Sequence, residues 1–175
     1  MRQAASLELI QSFMRAVGQA AQAPARIYFT GGVTAVLLGF RETTIDVDIR
    51  FYPDADWLLR LIPTLKETLH INVELAAPPD FIPELPDWEA RSIFVSQEGR
   101  VSFFHYDLYS QALAKTERGH AQDLADVEEM LARSLIVPRR VLELFEAIDP
   151  QLYRYPAIDP ASFRRSVEEL FAARE

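Results

Sequence analysis

Residues 30–51 read TGGVTAVLLGFRETTIDVDIRF. The stretch opens on adjacent glycines, Gly31 and Gly32, and closes on two aspartates, Asp46 and Asp48, one residue apart. Just before it, RIYFT (26–30) alternates as a strand does, with Ile27 and Phe29 on one face. After the glycines, VTAVLLGF predicts a short apolar helix ending near Gly39. IDVDIRF alternates again, turning Val47, Ile49 and Phe51 toward a core and Asp46, Asp48 and Arg50 the other way. Strand, Gly-Gly turn, helix, strand is the opening of an α/β fold.

The flanks extend that pattern. Residues 6–22 place Leu7, Ile10, Phe13 and Met14 on one side of a helix. ADWLLRLIPTLKETL predicts another helix, capped by Asp54 and bent or shortened by Pro63. HINVELA reads as a third strand, with Ile71, Val73 and Leu75 inward and Asn72 and Glu74 on the opposite face. The proline-rich APPDFIPELPDWEA predicts an irregular loop, and SIFVS with VSFFHY a hairpin around Glu98-Gly99. Helices are expected over 107–117, 120–134, 138–147 and 160–173, with a Pro/Tyr-rich linker at 149–160. The expected fold is α/β (α+β), a small mixed sheet flanked by helices and followed by a C-terminal helical segment. The expected division is an α/β core over 1–106 and a helical region over 107–175, packed on the core in a single compact protein.

Composition narrows the function. The 175 residues are 49% hydrophobic and 11% aromatic, enough for a packed core. Zero cysteines exclude disulfides, thiol catalysis and Cys-ligated zinc. A net charge of −8 argues against general DNA or RNA binding, which needs a positive face to release counterions. No run of eighteen apolar residues exists and MRQAASLELIQSF lacks a signal-peptide layout, so a cytoplasmic protein with no membrane partner is expected. Sixteen of the eighteen basic residues are arginine, which makes Lys66 and Lys115 the less expected cations.

The chemistry-bearing residues converge by spacing. Glycines without Cβ atoms let a backbone approach a phosphate, although a Gly-Gly taken alone favours a tight strand-to-helix turn. Asp46 and Asp48 share one strand face, where a divalent cation would relieve their repulsion. A solvated strand end, or an ion pair with Arg50, is the alternative. Glu74 adds a third carboxylate if its strand pairs beside IDVDIRF. Two-metal phosphoryl transfer uses such a set: two acids hold the ions and the third helps activate the attacking hydroxyl. Tyr28 and Thr30 lie on the polar face of RIYFT, where Thr30 either touches a phosphate or caps the turn.

Strand, Gly-Gly, a short helix, thirteen intervening residues (33–45) and Asp-x-Asp on the next strand resemble the signature of the nucleotidyltransferase (DNA polymerase β-like) superfamily. The resemblance implies Gly31 and Gly32 at nucleotide phosphates, with Asp46, Asp48 and Glu74 binding Mg²⁺ or Mn²⁺ and acting in catalysis. Glu74 departs from the aspartate common at that place. Thr30 and Arg50 join the implied nucleotide-binding set. LYSQALAKTERGHAQDLADVEEML is similar to a helical segment of small bacterial nucleotidyltransferase-like proteins of the toxin–antitoxin and abortive-infection kind. By that likeness Lys115 and Arg118 contact phosphates, and Asp123 and Asp126 orient them. Gln111, Lys115 and Arg118 fall on one helix face; Asp123 and Asp126 share a face of the next, whose core stripe is read as Leu124, Val127 and Leu131. A salt-bridge network between the two helices is the alternative.

The function implied is Mg²⁺-dependent transfer of a nucleoside monophosphate from an NTP to a hydroxyl on a partner protein or a tRNA, in a toxin–antitoxin-type system. One alternative is an inactive member of the fold that serves as a binding partner or antitoxin. Another is an enzyme that modifies a small-molecule antibiotic. His105 and His120 are candidate bases or structural residues; Trp57 and Trp88 read as packing anchors.

Overall fold

The computed structural model describes residues 1–174. In chain order its strands and helices are β1 (Ala5–Ser6), α1 (Leu7–Ala20), β2 (Ala25–Thr30), α2 (Gly32–Leu37), β3 (Thr43–Thr44), β4 (Asp46–Tyr52), α3 (Asp56–Leu69) and β5 (Asn72–Leu75). Then follow α4 (Trp88–Arg91), β6 (Ile93–Glu98), β7 (Val101–His105), α5 (Leu108–Arg118), α6 (Ala121–Ala132), α7 (Pro138–Ile148) and α8 (Pro160–Phe171). They form two compact units. One comprises Met1–Ala77 and Ser92–Tyr106; the other comprises Pro78–Arg91 and the chain from Asp107 onward.

The first unit is built on a mixed five-stranded sheet in the order β5-β4-β2-β7-β6. β2 runs antiparallel to β4 and parallel to β7, while β4 and β5 are parallel and β6 and β7 antiparallel. One sheet face is apolar because alternation sends Ile27, Phe29, Val47, Ile49, Phe51, Val73 and Phe103 to the same side. Helices α1 and α3 close over it with Ile10, Phe13, Met14 and Val17 and with Leu58, Ile62 and Leu65. Each such side chain contributes roughly 1.5–3 kcal/mol when fully buried. Ser6 caps α1 by accepting the Leu9 amide. A separate two-stranded ladder, β1 with β3, ties the N-terminus to the segment before β4.

Four details correct the sequence reading. Asp54 does not cap α3: its N-cap is Ala55, without a side-chain bond, and Asp56 supplies the first-turn negative charge. Pro63 does not shorten the helix, which runs on to Leu69. Pro63 is exposed on the helix's solvent side, so its ring displaces no core packing. Leu75 is exposed rather than inward, since β5 is an edge strand that ends there. Tyr28 is buried rather than on a polar face: it stacks on Phe104 at 5.2 Å and meets the edge of Tyr106 at 6.2 Å. The loop from Pro78 also carries more structure than expected, with a 3₁₀ turn at Pro78–Asp80 and the short α4.

The second unit is helical. Its core joins Ala112 and Leu113 of α5, Val127 and Met130 of α6, Val141, Leu144, Phe145 and Ile148 of α7, and Phe163, Val167 and Phe171 of α8. Phe145 and Phe163 meet edge to face at 5.0 Å. The Pro78–Arg91 segment is fastened to these helices at both ends. The Tyr155 hydroxyl donates to the Pro79 carbonyl at 2.8 Å, and Arg91 pairs with Asp107 at 2.8 Å. Asp107 caps α5 by accepting the amides of Tyr109 and Ser110. Among the described residues, no helix is long and apolar enough to cross a membrane.

Candidate active site

Three adjacent strands bring the expected residues to one line. In register, Thr30 of β2 lies beside Asp48 of β4, and Asp48 lies beside Glu74 of β5. Asp46 lies beside Asn72 one step along. Register partners on neighbouring strands share a face, and residues two apart on one strand do too. Asp46, Asp48, Glu74, Thr30 and Asn72 therefore stand on the sheet face opposite the apolar core. This arrangement depends on β4 and β5 being parallel, joined through α3.

Asn72 links two of the acids. Its Nδ2 donates to Asp46 Oδ1 at 2.7 Å and to Glu74 Oε1 at 2.8 Å. The amide thus offsets repulsion between two carboxylates with two donor protons, as a cation would with charge. Among the described residues no three His, Asp or Glu side chains are gathered closely enough to hold a metal ion between them. The donor chemistry of Asp46, Asp48 and Glu74, all hard oxygens, suits Mg²⁺ or Mn²⁺. Turning the Asn72 amide over would add a fourth oxygen.

Both glycines are dictated by close approach of protein atoms. Gly31 sits at φ 62°, ψ −132°, a region that other residues rarely enter. A Cβ there would lie 2.9 Å from Asp48 Oδ2. A Cβ on Gly32 would overlap the Thr44 hydroxyl and come within 2.7 Å of the Thr44 Cβ and 3.1 Å of Arg41 Nη1. The positions that Cβ atoms would take are therefore filled by Asp48, Thr44 and Arg41. The same contacts put the Gly-Gly turn and the second aspartate against each other. Thr30, which is buried, donates its hydroxyl to the Ala76 carbonyl at 3.0 Å. Arg50 donates to the Tyr106 hydroxyl at 3.5 Å.

His105, a candidate base by sequence, is a buried neutral group. Its Nδ1 lies 3.1 Å from the Thr34 hydroxyl, and that hydroxyl donates its own proton to the Phe29 carbonyl. Burial pulls the His105 pKa down to about 4. The ring ties β7 to α2, just beyond the glycines.

The helical residues form their own cluster in the second unit. Lys115 Nζ lies 2.7 Å from Asp126 Oδ2 and 3.4 Å from Asp123 Oδ1, and Arg118 Nη2 lies 2.9 Å from Asp123 Oδ1. Lys115, Asp123 and Asp126 are buried. The buried stripe of α6 is Asp123, Asp126, Val127 and Met130, so the Leu124-Val127-Leu131 stripe read from the sequence is displaced by one position. Two aspartates in a core-facing stripe require buried cations, and α5 supplies Lys115. Arg118 also lies over the Phe81 ring at 5.2 Å.

A family model described as "Nucleotidyltransferase of unknown function (DUF6036)" matches residues 5–155. The chain belongs to this nucleotidyltransferase family. The matched span takes in the whole sheet, the Gly-Gly turn, the three acids and helices α5 to α7, and it ends before α8. No curated protein and no solved structure gives a significant match. As a nucleotidyltransferase-family chain with a small mixed sheet, it carries Gly31, Asp48 and Glu74 on contiguous elements of one unit. Sequence reasoning missed Asn72 as a bridge, Arg41 beside Gly32 and the Arg91–Asp107 pair. The Asn72 bridge had a signal, since Asn72 was placed on the face of Glu74. Arg41 and Arg91 had none, because neither lies on a periodic element whose pattern points its side chain.

Proposed function

We propose that this chain is a Mg²⁺-dependent nucleotidyltransferase, moving a nucleoside monophosphate from an NTP to a hydroxyl of a partner protein or a tRNA. A toxin–antitoxin-type pair is the setting this reading favours. The observation that carries it is the contact of Gly31 with Asp48, which itself stands in register with Glu74. In the reaction, the acceptor oxygen bonds to the α-phosphorus while the bond from that phosphorus to the bridging oxygen breaks. The pyrophosphate leaves with that oxygen and its charge. The acceptor proton passes to a carboxylate, for which Glu74, at the exposed end of the line, is the assigned base. Asp46 and Asp48 would hold Mg²⁺, which when bound would neutralise triphosphate charge. No step depends on Lys115 or Arg118, which Asp123 and Asp126 already engage.

The test is incubation with each α-labelled NTP, Mg²⁺ or Mn²⁺, and either total tRNA or cell lysate. An Asp46→Ala/Asp48→Ala variant runs alongside. Label on RNA or on protein that disappears in the variant supports the reading; label that persists in the variant removes the acid assignment. A second reading is a binding partner without turnover. The Asn72 amide favours it, because two of the acids are satisfied without a cation. NTP binding with no labelled product from either acceptor pool would select it.

A further inference from the structure

The Gly31-Gly32 dipeptide has a carboxylate beside its first residue and a guanidinium beside its second. Asp48 Oδ2 stands 2.9 Å from where a Gly31 Cβ would be, and Arg41 Nη1 stands 3.1 Å from where a Gly32 Cβ would be. Consecutive Cα atoms are ~3.8 Å apart, so an acid and a fixed cation flank a single peptide unit.

The chain holds Arg41 in that place. After α2, the amides of Phe40 and Arg41 both donate to the Ala35 carbonyl, at 2.7 and 3.3 Å. Gly39 turns with φ 85°, and its amide donates to the Val36 carbonyl at 3.0 Å. Three residues on, Thr44 is pinned by its ladder partner Ala5 and by its hydroxyl bond to the Asp46 carbonyl. The short segment is fixed at both ends, and the half-buried Arg41 side chain reaches back along α2 to that helix's first residue.

We propose that Arg41 receives the β- and γ-phosphates of the triphosphate substrate, a role that rests on the transferase reading above. A guanidinium offers paired N–H donors to a phosphate's oxygens and keeps its charge at any working pH. The ligand class is a nucleotide with unesterified β- and γ-phosphates, and a monophosphate lacks the groups that Arg41 reads.

The test is equilibrium binding by calorimetry, with ATP, GTP, CTP and UTP and the matching monophosphates, in Mg²⁺. Wild type, Arg41→Lys and Arg41→Gln are compared after circular dichroism confirms folding. Arg41→Gln is expected to weaken triphosphate binding 10- to 100-fold and monophosphate binding less than threefold, with Arg41→Lys in between. Equal loss for both ligand classes, or triphosphate binding as tight as wild type, overturns the proposal. In the second case, transfer that still depends on Asp46 and Asp48 would leave the transferase reading standing. Arg41-dependent triphosphate binding without any labelled transfer product would uphold Arg41 and refute catalysis. No binding of any nucleotide by the wild type would refute both.

Discussion

Replacing Lys115 by methionine separates a structural cation from one kept for a ligand. Lys115 is 3% exposed and its ammonium is 2.7 Å from Asp126, itself 3% exposed. Asp123 retains Arg118 at 2.9 Å when the lysine is lost, so the deficit falls on Asp126. Removing one partner of a buried pair costs about 3–5 kcal/mol, because the other charge stays buried. The shared acid places the expected cost near the lower end, about 3 kcal/mol. For a chain of this size each kcal/mol moves Tm by ~2–4 °C, so a fall of about 6–12 °C is expected. The assay is thermal unfolding followed by the helical circular-dichroism signal at pH 7. Lys115→Met/Asp126→Leu should regain more than half of the loss, since it removes the stranded charge and fills the space. A single variant that melts within 2 °C of wild type would refute the argument, as would a double variant no more stable than the single. The first outcome would show that the ammonium contributes little to the fold, and the second that a stranded Asp126 charge is not the source of the loss.

Two further outcomes follow from the sheet unit. His105 is neutral when folded, with a pKa of about 4 against 6.5 for the free side chain. Between those values the unfolded chain binds the extra proton, so stability is full above pH 6.5 and falls toward pH 4, by on the order of 3 kcal/mol. Urea unfolding at pH 7 and pH 4.5 should show a smaller pH slope in His105→Gln than in wild type; equal slopes would assign the acid sensitivity elsewhere. Gly31→Ala forces a side chain into φ 62° and against the Asp48 carboxylate, and should cost ~1–3 kcal/mol. In the transfer assay it should cut the rate at saturating NTP by more than its stability loss accounts for, whereas a fully active, stable variant would disconnect the turn from the acid.

What the sequence made legible tracks how strongly each element is patterned. Alternation in RIYFT and IDVDIRF fixed which residues of β4 face the core, and the α3 connection made β5 a parallel neighbour. Glu74 therefore fell beside Asp48 as spacing suggested. Helices α5 to α8 stood out through their apolar period and breakers such as Gly119 and Pro138. Tyr28 escaped because a tyrosine on the polar side of an alternating strand reads as exposed until Phe104 and Tyr106 are seen against it. The α6 register slipped by one residue because Asp123 and Asp126 look like surface charges, whereas Lys115 makes them core residues. Arg41 escaped for a different reason: the turn after α2 aims its side chain, and that turn is set by tertiary packing.

The route of the chain between its two units has a consequence for how this protein can be divided. The backbone passes from one unit to the other after Ala77, after Arg91 and after Tyr106. A cut after Tyr106 thus leaves the helical piece without Arg91, the partner of the buried Asp107, and without the Pro79 carbonyl that Tyr155 bonds. Neither unit corresponds to one uninterrupted stretch of gene. Fusion or truncation at a single junction therefore cannot hand either unit intact to another protein.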